Sequence, residues 1–343
     1  MKYVPPDVPW KVRDENLPMS ADTATQLRFI LNYAVMGPSI YNTQPWLFKV
    51  TGSEIAMYLD RGRVLPVADP LGRNLVMSCG AALYHLRIAI GHFGYKSVVR
   101  VFPDLDVPNL LAFIRLGDRK VPSEEEERHF MAIQKRRTVR TELRSDAIPQ
   151  STIQRLLEGA ELEGAYLYPI NDSSEQQIVT DLVHKAYAIR ESDASFIQEI
   201  ERWTRSGWDD HPIADTSYTS RAPGAPVPPE ARMLRGLDQR QILFTIDKIE
   251  PGEPPFLILA TNGDKMASWL TAGQALGRVL LTAADDDLNA AFLSLPIGID
   301  HLRERLHSLI GGDRYPQLIL RIGRGVPGTP TRRLPVDRVT PEN

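Results

Sequence analysis

The chain has 343 residues, with 43% hydrophobic and 24% charged side chains and a net charge of −3. That length can bury the core of two domains or of one large fused unit, and the nearly balanced charge gives no reason to expect nucleic acid or an anionic membrane as a partner. A single cysteine, Cys79, excludes an intrachain disulfide and any four-cysteine zinc site. No run approaches the ~20 apolar residues that span a bilayer.

Residues 1–20 lack periodicity and are expected to form an extended arm. Prolines and charges stand where a secretory leader would be apolar, so the cytoplasm is the expected compartment. From Ala21 to Met36 the apolar positions Leu27, Ile30, Leu31, Ala34 and Val35 recur at helical spacing, with Ser20 or Asp22 as the cap. Gly37-Pro38 stops that helix, because proline lacks the amide and turns the preceding residue away from α. Strands follow at Trp46–Val50 and Glu54–Leu59, then a helix over Leu71–Phe93 ended by Gly94, then strands at Val98–Phe102 and Leu110–Leu116.

Glu124–Glu127 reads as a solvated first helical turn favoured by the helix dipole. Beyond Ile148-Pro149 the pattern gives helices at Gln150–Glu158, Ser174–Ile189 and Ala194–Thr204, with a strand at Ala165–Pro169 between the first two. Gly207–Gly236 carries five prolines and is too long for an ordinary connection, so it is expected to be a lid or binding loop. Strands at Ile242–Ile246 and Phe256–Ala260, a helix at Lys265–Ala284, a strand at Asn289–Leu293, a helix at His301–Leu309 and a strand at Leu318–Ile322 complete the series. Asp285-Asp286-Asp287 is expected as a solvated loop rather than a metal site. This mixture of helices and strands indicates a layered α+β or α/β fold.

A weak internal repeat runs through the chain. Cys79-Gly80-Ala81-Ala82-Leu83 is matched by Ala272-Gly273-Gln274-Ala275-Leu276, and Leu110–Gly117 by Leu318–Gly323. Two matches in the same order point to a duplicated architecture.

Two further strings carry the chemistry. Arg136-Arg137-Thr138-Val139-Arg140 gathers three guanidinium groups and a hydroxyl at a helix end, a donor set suited to a dianionic phosphate. Arginines at a helix C-terminus are also favourable with no ligand at all. Upstream, Gly37-Pro38-Ser39-Ile40-Tyr41-Asn42-Thr43-Gln44-Pro45-Trp46 combines turn residues with polar side chains that can aim at a flat ligand. The seven histidines show no HExxH or paired spacing, so no metal is expected, and neither GxSxG nor a Rossmann fingerprint is present. Cys79, ahead of Gly-Ala-Ala, is expected as a small packed residue.

PSIYNTQPW, RRTVR, DPLGRNLVMSCGAALYHLRIAI and the ending PQLILRIGRG…TPTRRLP together resemble the nitroreductase family, and within it the Acg-like branch of two fused halves. The resemblance implies a nitroreductase-like α+β fold arranged as a pseudo-dimer. The expected division is an arm over 1–20, a first half over 21–120 and a second half over 121–343. It implies FMN between the halves, with Arg136, Arg137, Thr138 and Arg140 at its phosphate and Pro38, Ser39, Ile40 and Asn42 at its ring. Pro296, Ile297 and Gly298 would pack beside the ring, and Arg333 or Arg332 would close the phosphate site. The N-terminal arm lacks an arginine string and the second half lacks a second PSIYNTQPW, so one FMN per chain is expected. The implied activity passes a hydride from NAD(P)H to a small nitro, quinone or similar acceptor, with no catalytic side chain. A flavin-sequestering protein with an occluded site is the alternative. The fused halves leave a monomer or weak homodimer as the expected state.

Overall fold

A computed structural model describes residues 8–139, 143–144, 146–203, 256–326 and 330–341. The expected lid at 207–236 and the expected strand at Ile242–Ile246 lie outside the described residues, as does Arg140.

In the first half, helix α1 (Thr23–Ala34) precedes strands β1 (Trp46–Thr51) and β2 (Glu54–Leu59), helix α2 (Arg73–His92), and strands β3 (Tyr95–Val101) and β4 (Leu110–Arg119). Asp22 is the cap of α1, its carboxylate accepting from the Thr25 amide at 2.7 Å. Helix α3 (Glu124–Lys135) opens with a capping box, Ser123 and Glu126 each accepting from the other's backbone amide. The second half, which α3 opens, continues with α4 (Gln150–Leu162), β5 (Tyr166–Ile170), α5 (Ser173–Glu191), α6 (Ala194–Trp203), β6 (Phe256–Thr261), α7 (Met266–Asp285), β7 (Asn289–Phe292), α8 (Asp300–Leu309) and β8 (Tyr315–Gly323).

The duplication is visible in the sheets. Both are antiparallel and four-stranded, ordered β1-β2-β4-β3 and β5-β6-β8-β7, so each strand of one has its counterpart at the same place in the other. The fold is therefore α+β, with two fused halves related by an internal repeat. Composition explains how the halves differ. β6, FLILAT, is buried at every position and lies in a sheet covered on both faces, whereas β3, YKSVVRV, alternates between half-buried and exposed.

α2 and α7 join the halves. At their crossing, a Cβ on Gly80 would lie 2.3 Å from the Leu270 carbonyl oxygen and 2.8 Å from the Gly273 Cα. A Cβ on Gly273 would lie 2.0 Å from the Met77 oxygen. The repeated glycines are thus the points where the two backbones touch. α2 is buried over most of its length, Leu75 to Gly91, and a single apolar core runs from α1 through α2 and α7 into both sheets. A second core lies on the far face of the second sheet, under α5, α6 and α8.

Two expectations need correction. The arm is not wholly extended: Val8–Lys11 makes a helical turn. Asp285 and Asp286 are paired rather than simply solvated, with Arg128 at 3.2 Å from Asp285 and Arg155 and Thr152 both bonded to Asp286. Asp287 is exposed. The pairing reflects the position of Asp285 and Asp286 at the end of α7, beneath the arginines of α3 and α4. No group of three or more metal-ligating side chains exists among the described residues. No helix among them is long and apolar enough to cross a membrane.

Candidate functional site

The loop from Gly37 to Pro45 departs most from ordinary backbone. Tyr41, Asn42 and Gln44 all have positive φ, at 42°, 53° and 51°. For non-glycine residues this conformation carries a strain of about 1 kcal/mol or more each and persists only where surrounding contacts impose it. Those contacts are present. The Gln44 amide donates to Ser39 Oγ at 3.0 Å, and the Ile40 amide to Ser78 Oγ of α2 at 3.2 Å. Gln44 Oε1 accepts from the Leu334 amide at 2.8 Å. Gly37 is packed against α2, where a Cβ would lie 3.0 Å from the Ala82 Cα.

This loop forms one wall of a cavity at the seam between the halves. Pro38, Ser39, Ile40, Tyr41 and Asn42 line it, with Asn74, Met77 and Ser78 from the start of α2. Facing them are Arg136, Arg137, Thr138 and Val139 from the segment after α3, then Phe292 at the end of β7 and Ser294, Leu295 and Gly298 after it. Thr331 and Arg333 of the C-terminal tail, Trp10 of the arm, Ala68, Arg190 and Phe196, and Leu276 and Leu318 complete the lining. Four guanidinium groups and no carboxylate therefore line the cavity among the described residues.

Each arginine of the upper cluster is held by the fold. Arg136 is 4% exposed, its Nη1 donating to Thr138 Oγ1 at 3.4 Å, while its buried Nε has no acceptor. Thr138 sits beside β7 through a parallel bridge to Ala290, fixed by the Val139 amide donating to the Ala290 carbonyl at 2.9 Å. Arg137 donates to the Gln134 and Arg136 carbonyls and lies 4.4 Å from the Trp10 ring; burial lowers its pKa. Arg333, 2% exposed, donates from Nη1 to Asn42 Oδ1 at 2.9 Å, and its Nε is also buried without an acceptor. Between the two candidates in the tail, Arg333 reaches the cavity; Arg332 contributes its carbonyl, which accepts from Asn42 Nδ2 at 2.9 Å. Asn42 is thus a strut between loop and tail, with both ends of its amide engaged there.

Behind the cluster lies His85 of α2, fully buried. Burial, with the charges of Arg136 and Arg333 adding to it, pushes its pKa down to about 3, so it is neutral near pH 7.

Leu295–Gly298 forms a 3₁₀ turn at the cavity edge. Leu295 and Gly298 face the cavity, whereas Pro296 and Ile297 are buried and do not line it. Two guanidinium groups hold the turn, one from each half. Arg73 Nη2 donates to the Ile297 carbonyl at 2.8 Å, and Arg190 Nη2 to the Gly298 carbonyl at 2.9 Å. Burial is the main cause of Arg73's pKa falling to about 10.

Among the described residues, the opposite side of the α2–α7 crossing has no equivalent cleft-forming loop. The second half passes from α4 to β5 through residues 163–165, where the first half has the whole segment from 35 to 45 between α1 and β1. Glu163 fills that side. Its carboxylate, 5% exposed, accepts from Arg87 at 2.5 Å and from Arg278 at 3.2 Å.

The loop, the arginine string and the tail, each singled out from the sequence, come together at this cavity. Trp10, Ala68, Arg190 and Phe196 also line it and were not singled out. Trp10 lay in a segment without periodicity, yet its Nε1 donates to the Thr331 carbonyl at 2.8 Å. Arg190 and Phe196 read as ordinary positions of amphipathic helices. Three non-glycine residues in left-handed conformation leave no signal in composition.

No protein-family model matches the chain. Among curated proteins, the "putative NAD(P)H nitroreductase Rv3131" of Mycobacterium tuberculosis is 28% identical over 318 residues, which is 91% of this chain and 90% of that one. The "putative NAD(P)H nitroreductase acg" of the same organism is 26% identical over 329 residues, 94% of this chain and 97% of the other. Among solved structures, a "putative nitroreductase" from Anabaena variabilis aligns with 94% of this chain and 92% of its own, at 10% identity and a TM-score of 0.45. A nitroreductase with bound FMN from Desulfitobacterium hafniense covers 63% of this chain and 98% of its own, at 11% identity and a TM-score of 0.40. The resemblance to the nitroreductases and to Acg thus extends over nearly the whole chain.

Proposed function

We propose that the seam cavity holds one FMN per chain and that the protein is an NAD(P)H oxidoreductase of nitroreductase type. The observation that carries this reading is the lining among the described residues: four arginines, no carboxylate, and an apolar wall of Pro38, Ile40, Met77, Leu276 and Leu295. That donor set fits a phosphorylated flat ligand. Arg136 and Arg333 are both nearly fully buried and line the cavity, so an anion there would meet two desolvated guanidinium groups.

In this reading Arg136, Arg137, Thr138 and Arg333 bind the phosphate, with Arg140 and Arg332 beside them. Pro38, Ser39 and Ile40 pack on the ring from the first half, and Asn42 acts by holding Arg333 in place. Leu295 and Gly298 bound the ring on the other side, supported from behind by Pro296 and Ile297. When bound, FMN supplies a carrier for two electrons and a hydride between NAD(P)H and a nitro or quinone group. The chain's own residues position it and exclude water; none of them is required to move a proton. The curated relatives named as NAD(P)H nitroreductases support the donor and the reaction class.

The test is an absorbance spectrum of the purified chain with the released flavin quantified, followed by anaerobic addition of NADPH or NADH. About one FMN per chain, bleached by either nucleotide, is the expected result. Arg136→Ala should weaken FMN binding by about tenfold or more, the magnitude of losing a charge-assisted phosphate contact. Two flavins per chain would refute the single site. A flavin reduced by dithionite but by neither nucleotide would refute the oxidoreductase reading.

A further inference from the structure

Arg190 is a guanidinium that the phosphate cluster does not use. It comes from the last turn of α5 and lines the cavity, while its contacts are Gly298, Phe196 and Asp193 rather than Arg136, Arg137 or Arg333. Its side chain is 11% exposed. One Nη is tethered to the Gly298 carbonyl, and the guanidinium carbon stands 4.8 Å from the centre of the Phe196 ring, which is itself buried and lines the same cavity. Its Nε is buried with no acceptor. Asp193 is a weak counter-charge: it stands 3.9 Å from Nη1, and its carboxylate already accepts from the Ser195 and Phe196 amides at the start of α6. A Cβ at position 298 would lie 3.3 Å from Arg190 Nη2, a close contact that would crowd the tethered guanidinium.

A planar donor fixed by an aromatic floor and a carbonyl tether, with donor capacity left over, recognises a planar two-oxygen anion. We infer that Arg190 forms a second anion subsite of the cavity, which selects co-substrates carrying a carboxylate on a flat ring. This inference rests on the FMN reading for its biological meaning, but not for its test. Phe196, buried behind Arg190, holds the guanidinium in place to receive the carboxylate, while the apolar lining of the cavity receives the ring. An uncharged ring of the same shape gains the apolar contact and not the ionic one.

The experiment titrates benzoate, and its uncharged analogue benzamide, calorimetrically into the FMN-loaded chain and into the chain without flavin. FMN occupancy is measured separately on every sample. Benzoate should bind about tenfold or more tightly than benzamide, the size of one charge-assisted, partly desolvated pair. Arg190→Gln should abolish that preference and Arg190→Lys should keep part of it, since lysine retains the charge but not the fork. Phe196→Leu, which leaves the charge in place, should reduce it severalfold. Equal binding of the two ligands by the unaltered chain overturns the inference. So does a preference that survives Arg190→Gln, which would assign benzoate to the phosphate cluster. A chain that takes up no FMN refutes the flavin reading alone, and the flavin-free titration still decides the subsite.

Discussion

Gly80→Ala is the most direct probe of how the two halves are held. The new Cβ would meet the Leu270 oxygen at 2.3 Å and the Gly273 Cα at 2.8 Å, whereas ordinary contact begins at 3.4 Å. Both obstacles are backbone, so no side-chain rotation can relieve them. α2 and α7 must part by about 1 Å, and overpacking of this kind costs about 3 kcal/mol at the upper end of its range. Alanine returns about 1 kcal/mol of helix propensity over glycine. The net loss is about 2 kcal/mol. At about 2.1 cal/mol/K per residue the unfolding entropy of this chain is about 0.7 kcal/mol/K, so the melting temperature should fall by about 3 °C. Circular dichroism during heating and urea titration reads the loss. FMN affinity should fall with it, because the cavity walls sit on opposite sides of that crossing. Gly159→Ala is the control: it lies inside α4, with Arg278 Cδ as the nearest atom at 3.6 Å, and should be neutral or stabilised by up to about 1 kcal/mol. A Gly80→Ala chain as stable as its parent, or a control that loses as much, would refute the argument.

Two further outcomes follow from buried titratable groups. His85 has its folded pKa depressed to about 3 from an ordinary 6.5, and His129 is lowered to about 4, chiefly by burial. The unfolded chain then binds more protons below pH 6.5, so the stability held above that pH is lost as pH falls towards 3; urea midpoints across that range should drop less steeply in His85→Leu than in the parent, and equal slopes would contradict the assignment. Cys79 is fully buried, its Sγ donating to the Pro45 carbonyl at 3.3 Å, and burial pushes its thiol pKa up. A chromogenic disulfide reagent should therefore label it in urea and leave it unlabelled in the native chain.

The sequence by itself determined the elements and the duplication. The sequence placed α1, α2 and α7 to within a few residues: α1 buries one face at the helical period, and α2 and α7 are long apolar runs buried over most of their length. The paired Gly80 and Gly273 motifs signalled the duplication, and the structure shows them to be the points where the two helix backbones touch. The PSIYNTQPW and RRTVR strings were legible because turn chemistry and clustered guanidiniums leave a local signature. What only the tertiary structure decided depends on contacts between segments distant in sequence. Asn42 becomes a strut because Arg332 and Arg333 arrive beside it from nearly three hundred residues away. Asp285 and Asp286, read locally as a solvated run, find Arg128 and Arg155 on neighbouring helices. Arg190 and Phe196 sit on helices whose periodicity shows which face is buried but not which cavity that face adjoins. Local sequence fixes backbone preference and amphipathic phase; the partner of a long polar side chain is fixed only when the halves close around it.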